Sequence, residues 1–508
     1  MTIHLIKIKE LLKKHEGLTL EYKLAQKSLP DDFWRTYSAF ANTVGGDVIL
    51  GIKEDEHRNA IITGVSNAEK IKTELFAGLS NKNKVNNDLI KTENVMIFTI
   101  DNKDIIYIHI SEATLQQKPI YLNNNLESTY IRKHDGDHKV SKEELSSLIR
   151  NQSESLDSEL LSGYTLDDLD IESIVKYQAI LHKRYPTQNF LEKKPIEFLT
   201  NIGAFQYDYS DERKLKLTLG GLLFFGKYNA IISRIPHYHV DFFDKRGNNE
   251  RWSDRISSGD FDFPDLNLFN YYTLVLEKLL SSIERPFKFE DKSITRKAYS
   301  ELDVALRETF VNMITHADYL SNTTALIVEI HDPYYIFTNP GIMKIPVDSF
   351  FKGSFSKARN NILVQLFTRM GAAERAGSGS QKILNVIVKN NFKEPEITTS
   401  LEKTIFKLWI CNVIDQSSNL TGLEKAIYTL LDDEESKHIK IFSTSEICSI
   451  LSDFSRPQIT RALRKLVEKN LIEKLGANRN RRYIKKISSL EAMKIMDDSV
   501  NIMKKLFK

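Results

Sequence analysis

Apolar residues fall in short blocks along the whole chain, and the period of those blocks changes from segment to segment. Residues 47–52 form a continuous apolar run of strand length. Residues 95–100 and 104–110 are two further β-type runs about Asn102-Lys103, which predicts a strand pair. Residues 237–243 and 404–409 read as strands, and 217–225 adds an apolar block to the same middle region. Between 305 and 319 the pattern is helical: Ala305, Phe310, Val311 and Ile314 supply one apolar side of a single helix. From 421 the pattern stays helical, and the last twenty residues read as one amphipathic helix. Polar, unpatterned stretches at 151–158 and 416–419 read as linkers. The organisation expected is a domain over 1–150, a linker and α/β connecting region over 151–290, a third unit over 291–412, a helical module over 421–488 and a terminal helix over 489–508. The fold class is multidomain α/β.

Length agrees with that division, because 508 residues exceed what one core usually organises. A hydrophobic share of 41% with 27% charged residues is that of a globular protein in water. Net charge is only +3, so any nucleic-acid footprint must be local. Two cysteines, Cys411 and Cys448, exclude a disulfide framework and a cysteine zinc site, and they fit a reducing, cytoplasmic setting. No apolar run approaches membrane-spanning length, and the first residues mix charge too finely for a signal peptide.

Candidate chemistry is concentrated at Glu308, Asn312 and His316. A spacing of four puts these three side chains on one helix face. An amide oxygen suits Mg²⁺, and a carboxylate one turn earlier can orient or deprotonate a water. His316 is open between a structural role and a phosphate contact. Downstream, Glu374-Arg-Ala-Gly377-Ser378-Gly379 can bring backbone N–H groups close to phosphates, at the start of a helix opening near Gln381. Asn339-Pro-Gly341 lies between, as a strand running into a turn. Helix stripe and glycine loop together suit a Mg²⁺-bound triphosphate. Near the C-terminus, Ser443 and Ser455 read as helix caps. The helix from Gln458 carries Arg461, Arg464 and Lys465, and a basic hairpin carries Arg479, Arg481 and Arg482. Between Arg456 and Lys486 eleven Lys or Arg face two acids, the electrostatic footprint of phosphate binding.

Taken in order, Glu-x-x-x-Asn-x-x-x-His, Asn-Pro-Gly and Glu-Arg-x-Gly-Ser-Gly resemble the GHKL ATPases, an α/β sandwich fold. More narrowly, they resemble the bacterial branch with a Schlafen/AlbA-like N-terminal domain. The resemblance implies that Asn312 binds Mg²⁺ and that Glu308 activates water. Asn339 then stands where many relatives have an Asp that accepts from the adenine amino group. Gly341 and Gly377 to Gly379 match the two glycine boxes. Ala317 and Asn361 depart from the usual Arg and Pro. In the first 150 residues, Glu21-x-Lys23, Ala39-Phe-Ala-Asn-Thr43 and Gly45-Gly46 resemble the Schlafen/AlbA α+β core. In nuclease-active Schlafens the matching positions, Glu16, Glu21, Lys23 and Glu54 with Asp55 beside it, form a cutting site for Mg²⁺ or Mn²⁺. The third of these carboxylates is Glu where nucleases have Asp, and a plain Glu21–Lys23 ion pair is the alternative. Arg132 is open between a phosphate contact and a solvated surface role. The C-terminal pattern resembles a winged helix-turn-helix, with a protein-contact role as the alternative.

The function these readings imply is ATP binding and hydrolysis in a protein whose nucleotide state controls its hold on DNA or RNA. Two versions remain: an ATP-gated, metal-dependent nuclease of the phage-defence kind, and an ATP-responsive transcriptional regulator that cuts nothing. The resemblance also implies a homo-oligomer, which the terminal helix permits.

Overall fold

The computed structural model describes residues 8–247, 251–283, 294–353, 357–373, 379–390, 392–410, 421–431, 441–468, 471–475 and 481–485. The chain is a multidomain mixed α/β protein.

The first unit is built on β1 (Leu20–Lys23), β2 (Gly46–Leu50), β3 (Val95–Ile100) and β4 (Lys103–Ile110), in the order β1-β2-β4-β3. β1 runs parallel to β2 and the other pairs are antiparallel. Alternate residues point to opposite faces. Val48 and Leu50 therefore pack under α1 (Phe33–Asn42) and α2 (Ala68–Ser80), while Ile49 joins Leu20, Tyr22 and Tyr107 on the other side. The Ala-Phe-Ala-Asn run is the buried C-terminal end of α1. Its Asn42 side chain bonds Ile120 in both directions (2.8 Å each) and donates to the Tyr130 carbonyl at 3.0 Å. That amide pins β5 (Asn125–Lys133) across α1. Gly45 has φ +73°, and a Cβ there would lie 2.7 Å from the Ile110 carbonyl, so only glycine makes this turn into β2.

After α3 (Lys142–Arg150) a single hydrophobic core extends from Leu161 to Leu408. Its sheet has six strands: β6 (Val240–Asp244), β7 (Asp254–Ser257), β8 (Leu326–Ile330), β9 (Tyr334–Pro340), β10 (Glu396–Thr399) and β11 (Lys403–Trp409). The order is β7-β6-β8-β9-β11-β10, with β6 parallel to β8 and all other pairs antiparallel. The sheet therefore runs across the boundary expected at 290, because β6 and β7 come from the supposed connecting region. Phe242, Val328 and Phe337 turn inward and pack with α4 (Leu268–Ser281) and α5 (Ile294–His316). α6 (Asn361–Met370) and α7 (Gly379–Lys389) complete this layer.

The segment expected to be a free linker is fixed instead. Asn151 and Asp157 are buried. Leu156 donates its N–H to the Arg359 carbonyl at 3.0 Å, and Asp157 accepts from the Leu363 N–H at 2.8 Å, at the start of α6. Polar composition misleads here because the polar groups are spent on protein partners rather than water.

The last described unit runs α8 (Gly422–Leu431), β12 (Ile441–Ser443), α9 (Thr444–Ile450), α10 (Arg456–Glu468), β13 (Ile472–Leu475), β14 (Arg482–Lys485). Its strands are ordered β12-β14-β13. Ser443 closes a capping box with Glu446, and Ser455 donates to Gln458 Oε1 at 2.7 Å. The terminal helix expected over 489–508 lies outside the described residues.

Candidate nucleotide site

α5 is amphipathic in the expected sense. Ala305, Phe310, Val311 and Ile314 are buried in the core, and Glu308, Asn312 and His316 line a cavity of about 290 Å³. Across the cavity stand Asn339 and Thr404, opposite one another in the β9–β11 register. Met343, Ile345 and Phe406 provide apolar wall, and Gly379 closes one side at the first residue of α7. A few polar groups converging in a mostly apolar pocket is the usual form of a small-ligand site.

Three details fix the polar stripe. A Cβ on Gly379 would lie 2.1 Å from Glu308 Oε1, so the glycine leaves the space that this carboxylate fills. Glu308 itself is buried and Asn312 half-buried on the cavity wall. His316 is held well below the ordinary histidine range, at about 4, by desolvation first and by the Arg359 and Lys344 charges next. It is therefore a neutral imidazole at pH 7.

The C-terminal end of α5 leaves backbone carbonyls without helical partners. Arg359 Nε donates to the His316 carbonyl at 3.0 Å, and Asn360 Nδ2 donates to those of Thr315 (3.1 Å) and Ala317 (2.7 Å). Arg359 is fully buried; its other nitrogens donate to the Ile342 carbonyl at 2.6 Å and to Asn151 Oδ1. Asp318 takes Arg150 Nε at 3.0 Å and donates its N–H to the Pro340 carbonyl at 2.8 Å. Gly341, with φ +90°, sits against Asp318 and Arg359, where a Cβ would be 2.8 Å from Asp318 Cβ. Its requirement for glycine is thus both conformational and steric, and lies behind the cavity. Buried Lys344 donates to the Ser153 carbonyl at 2.7 Å; desolvation, with Arg359 and Lys357 nearby, lowers it to about 8. Gly377 and Ser378 lie outside the described residues.

The donor set suits a magnesium nucleotide. Asn312 offers a hard oxygen, the neutral His316 can donate or accept, and the Glu308 carboxylate stands against Gly379, the last residue of the glycine box.

The N-terminal carboxylates are arranged differently. Glu21 Oε2 takes Arg132 at 2.6 Å and its Oε1 takes Lys23 at 3.1 Å. Lys23 also pairs with Asp32 at 2.8 Å. Glu16 accepts the Tyr22 N–H at 2.7 Å, and Glu54 accepts the Glu16 N–H at 3.1 Å. Burial raises the Glu16 carboxyl above its ordinary range against the Tyr22 bond, with Glu21 and Glu54 adding to the rise. Among the described residues no group of three or more His, Cys, Asp or Glu is placed to hold a metal. Glu16, Glu21 and Glu54, expected to hold Mg²⁺ or Mn²⁺, are here engaged with protein partners. The oxygens of Glu21 are already taken by two cations, and Lys23 is spent on Glu21 and Asp32. Arg132 is neither solvated nor free for phosphate: it is 3% exposed, reaching Asp137 at 2.8 Å and the Gly17 carbonyl at 3.0 Å.

In the C-terminal unit Arg461 and Arg464 are exposed on α10, and Arg481 and Arg482 are exposed at β14. Lys465 reaches back to buried Glu424 at 3.4 Å. Arg479 lies outside the described residues.

Comparison with known proteins places two domain types on this geometry. Residues 16–141 match the family "Schlafen, AlbA_2". Residues 326–408 match "Putative ATP-dependent DNA helicase recG C-terminal", a match that begins after α5. The chain thus carries a Schlafen/AlbA_2 domain and an ATPase-type RecG C-terminal domain. Residues 146–241, which include the fixed 151–158 segment, match "Domain of unknown function (DUF8451)". Among solved structures, the DIP2311 protein from Corynebacterium diphtheriae is similar over 95% of this chain and 99% of its own, at 15% identity and a TM-score of 0.39. The N-terminal domain of a putative ATP-dependent DNA helicase RecG-related protein from Nitrosomonas europaea covers 26% of this chain and 90% of its own, at 20% identity and a TM-score of 0.20. No curated protein matches the chain. No described helix is long and apolar enough to cross a membrane.

Proposed function

We propose that the chain is an ATP-binding, ATP-hydrolysing protein of GHKL type that engages DNA or RNA according to its nucleotide state. The observation that carries this reading is the convergence of Glu308, Asn312, His316, Asn339 and Gly379 on one cavity. Asn312 would hold Mg²⁺, which supplies charge neutralisation at the phosphates. Asn339 offers a carbonyl to an exocyclic amine of a purine, with apolar wall for the ring. Glu308 orients or deprotonates the attacking water. The glycine box with Gly377, Ser378 and Gly379 offers N–H groups to phosphate oxygens. His316, neutral, contributes a hydrogen bond rather than a charge.

The two flanking units are the nucleic-acid side of the proposal. The C-terminal order of helices and strands supports a winged helix-turn-helix, with Arg461 and Arg464 on the recognition helix and Arg481 and Arg482 at the wing. Between the two versions of the function, neutralisation of Glu21 by Arg132 and Lys23 favours the regulator that does not cut. A homo-oligomer remains part of the proposal. The test is affinity for labelled DNA and RNA with and without ATP, beside Glu308→Gln. The proposal expects a shift of affinity with ATP, which Glu308→Gln prolongs by blocking turnover. Identical affinity in all nucleotide states refutes the coupling.

A further inference from the structure

The outer face of the six-stranded sheet has a composition that the nucleotide site does not use. Register places one row straight across it: Arg255, Phe243, Glu329, Ile336, Lys407 and Glu396. Phe243, Ile336 and Lys407 in this row are half-exposed, whereas Phe242 and Phe337, one residue away on the inner face, are buried. One step along the strands Tyr334 stands opposite Trp409.

The row holds two aromatic pairs. At one end Phe243 and Trp252 lie 5.3 Å apart, and Trp252 is 47% exposed. At the other Tyr334 and Trp409 lie 4.8 Å apart, with Tyr334 half-exposed and Trp409 buried beneath it. Phe243 and Tyr334 stand two strand spacings apart, roughly 10 Å across the sheet. Each pair is overlaid by cations. Arg255 stands 5.6 Å from the Trp252 ring and Lys245 5.5 Å from Phe243. Lys407 stands 3.9 Å from Tyr334 and Lys393 3.9 Å from Trp409. Two carboxylates share the face, Glu329 beside Lys245 and Glu396 beside Lys393 and Lys407. Around the two pairs four cations stand against these two acids; Asp241, one row further along the same face, is buried.

We propose that this face is a docking platform for single-stranded nucleic acid. Unpaired bases stack on Trp252 with Phe243 and on the half-exposed Tyr334, and the overlying Lys and Arg side chains move from the rings to phosphates. The physical reasons are general: every base has a π-face, aromatic stacking is sequence-tolerant, and a positive groove with interleaved aromatic rings is how unpaired strands are held. A duplex hides its base faces and cannot use the rings. The inference does not depend on ATP binding.

Tryptophan emission reads this directly. The chain has three tryptophans: Trp252 is exposed, while Trp34 and Trp409 are buried. The full chain is titrated with a labelled fifteen-residue oligo-dT, following emission and label anisotropy together. Binding is expected to quench emission. Trp252→Phe should keep affinity while losing part of the quench. Trp252→Ala with Arg255→Glu should weaken binding about tenfold or more. Arg461→Glu with Arg464→Glu, on the C-terminal unit, should leave the quench in place. Thermal melting checks that the exposed-site variants fold. The proposal is overturned if oligo-dT does not bind, if it binds without changing emission, or if the Trp252→Ala, Arg255→Glu chain binds as the wild type does. Preference for duplex with unchanged emission, or a quench abolished by the C-terminal variants, overturns it equally.

Discussion

Replacing Arg359 with Met keeps the volume of the side chain and removes its charge and its donors. The guanidinium is fully buried and joins three things at once: the last carbonyl of α5, the backbone after the Asn-Pro-Gly turn, and Asn151 in the 151–158 segment. Each bond from a charged donor contributes about 1.5–3 kcal/mol, and the acceptors left behind are buried. Against this, burial disfavours the charged form of Arg359, so its removal also relieves a desolvation cost. Asp318 keeps Arg150 as a partner at 3.0 Å, so no uncompensated carboxylate is created. The balance is a loss of about 3 kcal/mol. Urea unfolding followed by circular dichroism measures it, with Asn151→Ala and the double variant completing a cycle. Coupling between positions 359 and 151 should be about 1 kcal/mol or more. A loss below about 1 kcal/mol for Arg359→Met, with no coupling, refutes the claim that this side chain locks the helix end to the 151–158 segment.

Other consequences follow from single contacts. His316 has a folded pKa depressed to about 4, so its contribution to stability is complete above about pH 6.5 and is lost as pH falls through 4. The loss is at most about 3 kcal/mol and less where cavity water reaches the ring. Chemical denaturation between pH 7 and pH 4 should be flatter for His316→Gln; equal slopes contradict the assignment. Gly379→Ala pushes a methyl into the space of the Glu308 carboxylate; ATP hydrolysis should fall at least tenfold with nucleotide affinity changed only a few-fold, and full activity would show that Glu308 need not stand there. Glu21→Ala strips buried Arg132 of its closest carboxylate and should destabilise the chain by about 3 kcal/mol. Mn²⁺-dependent cleavage of RNA or DNA that this variant abolishes would restore the nuclease reading.

The helix with Glu308, Asn312 and His316 was legible because helical periodicity and a spacing of four are local properties. The same holds for the strand pair at 95–110 and for the serine caps of the C-terminal unit. What could not be read was partnership. A β-type run looks alike whichever sheet receives it, so β6 and β7 were separated from the sheet they complete. The 151–158 segment reads as linker because side chains such as Asn151 and Asp157 are polar; nothing local reveals that buried N–H groups and Arg359 await them. Glu21 and Lys23 pair as a local reading allows, but Arg132 lies more than a hundred residues away, and its ion pair with Glu21 could not be read locally. Arg359 and Asn360 carried a faint signal as a charged and an amide residue immediately before an apolar helix.

Isothermal titration of the full chain with Mg²⁺ and a non-hydrolysable ATP analogue, beside Asn312→Ala, puts the nucleotide site to the most direct trial. Saturable one-to-one binding by the wild type, weakened at least tenfold in Asn312→Ala while the variant melts normally, is the result expected. No heat of binding in the wild type, or equal affinity in the two chains, contradicts it.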